Sequence, residues 1–266
     1  MPRSPRYQTY GPVAIVTGAS SGIGQSFARL LGAEGFDLIL CARRGDRLAT
    51  LAEELRNQQS VSVQVVEADL GVASGIEKLI QASGGQEVGL LVSNAGFGLK
   101  GSFTEHGREQ LLRMVQLNCI APMLLAHHFI PRMRHRERAG ILITGSVEGL
   151  MGFPHSAAYA ATKAFVKNLG ESLWAELEAD NIDTLVLAPG STDTEAIDLQ
   201  GVDRSKLAGV MSPDEVAQIG LDNLGQGPTI IAGEENTQMF EGLAQMPRRD
   251  ALRMMAQTMA DSLLPR

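Results

Sequence analysis

The chain has 266 residues, 44% apolar and 20% charged, a balance that supports an ordinary globular core within one α/β domain. Its formal net charge is −7, from 23 basic and 30 acidic side chains; this field repels a phosphate backbone, so no nucleic-acid partner is expected. Two cysteines, Cys41 and Cys119, make neither a disulfide framework nor a zinc site, and no metal is expected.

Residues 1–11 read as a flexible N-terminal segment. The first apolar run, Val13–Val16, is far too short for a signal peptide or a membrane span, so the expectation is a cytoplasmic chain with no membrane partner. From there short β-branched runs alternate with helical patterns. The predicted strands are Val13–Val16, Asp37–Cys41, Val61–Val66, Gly89–Ser93, Gly140–Thr144, Asp183–Leu187 and Thr229–Ile231. Helical patterns cover Ser26–Ala33 and Arg47–Asn57, the latter with Leu48, Leu51, Ala52 and Leu55 at i, i+3, i+4, i+7. Two longer helices are predicted over Arg108–Arg132 and Ala157–Glu178. This order predicts an α/β fold of Rossmann type: a doubly wound, seven-stranded parallel sheet with helices on both faces. No linker-like composition shift, repeat or low-complexity tract divides the chain, so residues 1–266 read as a single domain. Its ligand crevice should lie at the carboxyl ends of the strands.

The first strand runs into Thr17-Gly18-Ala19-Ser20-Ser21-Gly22-Ile23-Gly24, followed by a helix. Glycines there let the backbone approach a pyrophosphate, and the helix N-terminus supplies unpaired N–H groups and a favourable dipole. No lysine follows the glycines, which argues against a nucleotide-triphosphate loop.

The T-G-x-x-x-G-x-G turn resembles that of the short-chain dehydrogenase/reductase family, and the likeness continues across nearly the whole chain. The resemblance implies that Asp69, with Leu70, holds an adenine ring after the third strand. It implies that Asn94-Ala95-Gly96 steadies the central sheet beside the cofactor. Pro189-Gly190, with Thr192 and Thr194, would stand at the nicotinamide end and open a substrate loop over about 191–212. The end of the second strand reads Leu40-Cys41-Ala42-Arg43-Arg44. Ala42 stands where an NAD-type member carries an aspartate, and Arg43, with Arg44 beside it, can fork onto a 2′-phosphate, so the expected cofactor is NADP(H).

Tyr159-Ala160-Ala161-Thr162-Lys163 is a Y-x-x-x-K motif that places an ammonium beside a phenol on one helix face. A free tyrosine ionises near pH 10. A neighbouring Lys⁺, and the positive nicotinamide ring of an oxidised complex, favour the phenolate, fitting Tyr159 as general acid and base. The resemblance implies that Lys163 also bonds the nicotinamide ribose. Ser146, in Thr144-Gly145-Ser146-Val147-Glu148-Gly149, is expected to hydrogen-bond the substrate oxygen. Gly145 replaces the first of the family's usual two serines, while Ser146 keeps the S-x-x-G register. Asn118 matches the family asparagine that holds a relay water next to the lysine. Glu148 occupies a position that is small in the family pattern, often alanine. If Glu148 and His155 line the pocket, they suit a polar or amine-bearing substrate. Phe97, Leu99, Met151, Phe153 and Met211 suggest a mostly apolar mouth.

Together these residues describe an NADP(H)-dependent oxidoreductase that interconverts a small-molecule carbonyl and its secondary alcohol. One alternative is a 3-oxoacyl reductase of the same family; another is a nucleotide-sensing protein that keeps the fold without the chemistry. Family resemblance implies a homodimer or homotetramer.

Overall fold

In a computed structural model describing residues 4–264, seven strands pair in parallel in one sheet. They are β1 (Val13–Thr17), β2 (Asp37–Ala42), β3 (Val63–Glu67), β4 (Val88–Ser93), β5 (Ala139–Thr144), β6 (Ile182–Ala188) and β7 (Thr229–Ile231). The predicted strands agree with these to within two residues. Their spatial order is 3-2-1-4-5-6-7. The order reverses between β1 and β4, and a doubly wound sheet opens its ligand crevice at that reversal.

β1, β4 and β5 are buried along their whole length, as strands covered on both faces must be. Alternate residues feed two separate cores. Ala14, Val16, Leu38, Leu40 and Val92 pack under helices α1 (Pro5–Tyr10), α2 (Gly22–Ala33), α3 (Gly45–Gln59) and α9 (Pro213–Asp222). Val13, Ile15, Ile39, Leu91 and Ile141 face α4 (Ala73–Ala82), α6 (Ala121–Met133) and α7 (Ala157–Glu176). α5 (Arg108–Val115) leads toward α6, and the short α8 (Glu195–Leu199) follows β6. A third, smaller core joins Val147 and Met151 to α10 (Glu234–Gln245) and α11 (Arg248–Ser262). It lies against the carboxyl end of β5, so the C-terminal helices wall the crevice on that side.

The structure departs most from the sequence expectation in two places. Residues 1–3 lie outside the described residues, but the rest of the segment expected to be flexible contains α1. Ser4 caps this helix by accepting from the Tyr7 N–H at 3.0 Å, and Pro5 occupies the first helical position. Tyr10 is buried and donates to Asp183 at 2.6 Å, while Arg6 pairs with Glu34 and Asp222. Residues 4–11 are therefore anchored by a cap, a buried ring and ion pairs.

The second departure is the helix predicted over Arg108–Arg132. It is interrupted by a π-helical turn at Gln116–Ile120, between α5 and α6. One extra residue in that turn rotates the chain, which puts Asn118 and Cys119 inside rather than on a helix flank.

Candidate active site

The crevice is built around the turn after β1. Gly18 adopts φ 69°, and a Cβ there would lie 2.9 Å from both Asn94 Nδ2 and Ala95 Cα. Gly24 is tighter still, because its Cβ would stand 2.2 Å from the Gly18 carbonyl oxygen. Only glycine allows α2 to start so close to the strand. Ser21 precedes the helix without a side-chain cap, so the first N–H groups of α2 are left for a ligand. Ile23 packs against the core, and Gly22 sits against Thr194 across the crevice.

Asn94 ties three strands together at their carboxyl ends. Its Nδ2 donates to the Thr17 carbonyl at 3.2 Å, and its Oδ1 accepts from the Thr144 hydroxyl at 3.1 Å. The Thr17 hydroxyl in turn accepts from the N–H groups of Asn94 and Ala95. The loop through Gly96 is thus held rigidly beside the glycine turn.

At the end of β2, Arg43 is exposed and Arg44 lies over the turn, donating to Ser20 Oγ at 3.1 and 3.2 Å and to Ser21 Oγ. Its remaining nitrogen reaches Glu195 at 2.7 Å, and Arg47 reaches the same carboxylate at 2.6 Å. Arg47, which the sequence marks only as the start of a helix, therefore belongs to this basic cluster. At the end of β3 the Asp69 carboxylate accepts from the Gly71 N–H at 2.9 Å and pairs with Arg113 at 2.8 Å, and Leu70 is buried.

Beyond β6, the Pro189 carbonyl accepts from the Val147 N–H at 3.0 Å. Gly190 abuts Asn236, so any side chain there would collide with it. The Thr192 hydroxyl donates to the Gly190 carbonyl at 3.2 Å, and Thr194 caps α8 by accepting from Ala196 at 3.3 Å.

The reacting groups converge at the end of β5. The Ser146 hydroxyl lies close enough to the Tyr159 phenol to act on it, and its Oγ accepts from the Glu148 N–H at 3.2 Å. Lys163 is buried, donates to the Thr144 carbonyl at 2.7 Å and stands 5.7 Å from the centre of the Tyr159 ring. Burial lowers this ammonium to about 8. Tyr159 moves the other way: burial raises its phenol, the Glu148 carboxylate raises it further, and the neighbouring Ser146 hydroxyl opposes both. Asn118 donates to the Phe97 carbonyl at 2.9 Å and to the Thr162 hydroxyl at 3.0 Å, and it accepts from the Phe97 N–H at 3.1 Å. It fastens the loop after β4 to the helix carrying Tyr159.

Sequence reasoning missed Lys100. This buried ammonium pairs with Glu148 and lies 3.1 Å from the Ser156 hydroxyl, which donates to the other Glu148 oxygen. Both carboxylate oxygens of Glu148 are therefore engaged within the chain. The signal was the acid itself, at a position that is small in the family pattern. His155 has a φ of 58°, and its carbonyl accepts from the Gly101 N–H. Met151 and Phe153 join the small core beside the crevice, whereas Met211 packs on the core under α2 and α9. Among the described residues no group of side chains is placed to hold a metal ion, and no helix is long and apolar enough to cross a membrane.

Comparison with known proteins agrees with this geometry. Residues 12–202 match the family model described as short chain dehydrogenase. The chain is 30% identical over 246 residues to a 7beta-hydroxysteroid dehydrogenase of Clostridium sardiniense, covering 92% of this chain and 94% of that protein. A very-long-chain 3-oxoacyl-CoA reductase of Pyricularia oryzae is 35% identical over 189 residues, covering 69% of this chain and 57% of its own length. Among solved structures, a short-chain dehydrogenase from Sphingobium yanoikuyae in complex with NADPH superposes with a TM-score of 0.81 at 31% identity, covering 92% of this chain and 96% of that one. The family match extends through the glycine turn, Ser146, Tyr159 and Lys163, and the chain belongs to the short-chain dehydrogenase/reductase family of nicotinamide-dependent oxidoreductases.

Proposed function

We propose that the protein interconverts a bulky, largely apolar ketone and its secondary alcohol, with NADP(H) as the preferred cofactor. The observation that carries the reading is the meeting of Ser146, Tyr159 and Lys163 at the crevice, beside an uncapped helix N-terminus. The turn fits a dinucleotide: its glycines leave no room for side chains, and Ser20, Ser21 and Arg44 flank it. Asp69, Leu70, Ala95 and Gly96 would border the adenosine and ribose, and Pro189, Gly190, Thr192 and Thr194 the nicotinamide. A bound nicotinamide supplies or accepts the hydride.

The chain's own residues handle the proton. A carbonyl oxygen placed between Ser146 and Tyr159 accepts a hydrogen bond from each hydroxyl. Tyr159 gives its proton to that oxygen during reduction and takes one back during oxidation. Lys163 stabilises the phenolate left behind. Asn118 holds the π-turn against the catalytic helix, where a relay water would connect Lys163 to solvent.

Preference for NADP(H) over NAD(H) rests on Ala42 at the end of β2 and on Arg43 and Arg44 after it. The small apolar core of Met151, Phe153, Leu252 and Met255 beside the crevice fits a bulky apolar substrate, and a hydroxysteroid dehydrogenase among the relatives points the same way. Residues 191–212 would close over that substrate, since Gln200 already lies against Gly98 beside Tyr159. Exposed Leu112, Val115, Leu124, Phe165 and Trp174 on α5 to α7 support pairing with a second copy as a homodimer or homotetramer, which sedimentation would test.

Thermal unfolding with NADPH or NADH at matched concentrations tests the cofactor. A ligand at a hundredfold excess over Kd stabilises the native state by about 2.7 kcal/mol. NADPH should raise the melting temperature more than NADH; the reverse order would overturn the preference. Tyr159→Phe should lower ketone reduction by about 10²–10⁴-fold while NADPH still binds. Undiminished turnover would remove Tyr159 from the mechanism. Assays with a steroid ketone and with a 3-oxoacyl-CoA separate the two substrate classes represented among the relatives.

A further inference from the structure

We propose that the buried Lys100–Glu148 pair is a positioning device for Tyr159, fixing the charge beside its ring and locking together the three segments that deliver the catalytic groups. This rests on Tyr159 being the proton donor.

The geometry comes first. Lys100 lies in the loop after β4, Glu148 in the turn after β5, and Ser156 at the start of the catalytic helix. The side chains of Lys100 and Glu148 are only 5% and 15% exposed. Ser156 occupies the N-cap of α7 yet makes no side-chain cap bond; its hydroxyl is committed to Glu148 instead. The Gly101 N–H donates to the His155 carbonyl at 2.8 Å, a second tie between the same two segments. Lys100 Nζ stands 5.4 Å from the centre of the Tyr159 ring and 5.5 Å from that of Phe153. One ion pair therefore joins the loop after β4, the turn holding Ser146 and the helix holding Tyr159.

The charges matter as much as the ties. Lys163 comes to the phenol from its own helix, Lys100 from the loop after β4 and Glu148 from the turn after β5. Cys119, on the π-turn near Lys163, is a buried thiol that burial keeps protonated, and His155 lies just ahead of the helix. A lone carboxylate at 148 would hold the phenol protonated, and a lone ammonium at 100 would favour the phenolate. Paired, they oppose one another, so the carboxylate still raises the phenol but by less than it would alone. A buried charge left without its partner is costly, so each residue explains the presence of the other. An alanine at 148, as in the family pattern, would leave Lys100 without this carboxylate.

The two single variants should consequently move Tyr159 in opposite directions. The readout is the near-ultraviolet tyrosinate absorbance during a pH titration, with and without NADP⁺, each variant being subtracted from the same variant carrying Tyr159→Phe. Glu148→Gln should bring the midpoint down by about one pH unit, and Lys100→Met should leave less tyrosinate than wild type at the same high pH. The double variant should return close to wild type. Glu148→Asp, which keeps the charge, should leave the midpoint nearly unchanged and serves if Lys100→Met does not fold. Shifts in the same direction, or folded variants with no shift, would overturn the proposal. The titration needs no turnover, so a wild-type protein that reduces no ketone would defeat the functional reading while leaving this one measurable.

Discussion

Two carboxylates hold basic side chains at opposite ends of the crevice, and they do so in different surroundings. Glu195 spans Arg44 and Arg47 over the glycine turn, with all three side chains 39–47% exposed. Glu148 joins Lys100 and Ser156 in the interior beside Tyr159. Water and salt screen the first cluster, so it contributes little to folding and an incoming anion can displace its carboxylate. In the second, each charge has left water and depends on its partner. The cofactor end is built to exchange partners; the catalytic end is built to keep them.

Breaking one partner at the buried end should have the largest effect on stability. Lys100→Met should destabilise the fold by about 3 kcal/mol, because Glu148 is left charged and unpaired. Lys100→Met combined with Glu148→Gln should cost much less, about 1 kcal/mol. Urea denaturation of the two proteins checks this. Equal losses would mean that the aliphatic stem of Lys100 matters and its charge does not.

The buried end also holds a cation with no carboxylate hydrogen-bonded to it. Lys163 leans on a backbone carbonyl, and burial brings it down to about 8 from an ordinary value of 10.5. Below about pH 8 the folded chain carries an ammonium that the unfolded chain would hydrate, which costs stability. As pH rises from about 8 toward 10.5 the folded chain sheds that proton first, and the penalty fades. Lys163→Met should therefore be more stable than wild type at neutral pH by about 1–2 kcal/mol, net of the hydrogen bond to Thr144, while losing turnover. The gain should shrink as pH climbs through that window. A variant less stable than wild type at pH 7 would show that the hydrogen bond outweighs the desolvation.

The same division explains what the sequence could reveal. The glycine turn, Asn94, Ser146 and the Tyr159–Lys163 pair are each fixed by local spacing at a strand end, so they stand out from the string of residues. The sheet was legible for a similar reason, since strands buried on both faces read as unbroken apolar runs. Lys100 was hidden because it sits in an irregular Gly-rich loop and its partner is 48 residues away. Arg47 and Arg113 look like ordinary helix-surface arginines until Glu195 and Asp69 are brought to them by the fold. The π-turn adds one residue without altering the apolar character around Asn118, so periodicity passes over it. α9 and α1 did leave signals that went unread. Ser212-Pro213-Asp214-Glu215 forms a capping box, and Ser4-Pro5 opens α1 in a similar way.

The smallest effect belongs to the exposed end, where the comparison is sharpest. If NADP(H) is the cofactor, its 2′-phosphate must share Arg44 and its neighbours with Glu195, which occupies two guanidinium groups in the free protein. Phosphate and carboxylate compete for the same forked donors. Glu195→Gln should leave the melting temperature of the free protein essentially unchanged and tighten NADPH binding by about two- to fivefold. NADH, with no 2′-phosphate, should bind as before, and the NADPH gain should diminish as salt screens the arginines. Fluorescence titration of the reduced cofactors at low and high salt measures all of this. Weaker NADPH binding by the variant would mean that Glu195 orders the arginines for the phosphate instead of competing with it. The cofactor end would then be as preorganised as the catalytic end, and the contrast between them would rest on exposure alone.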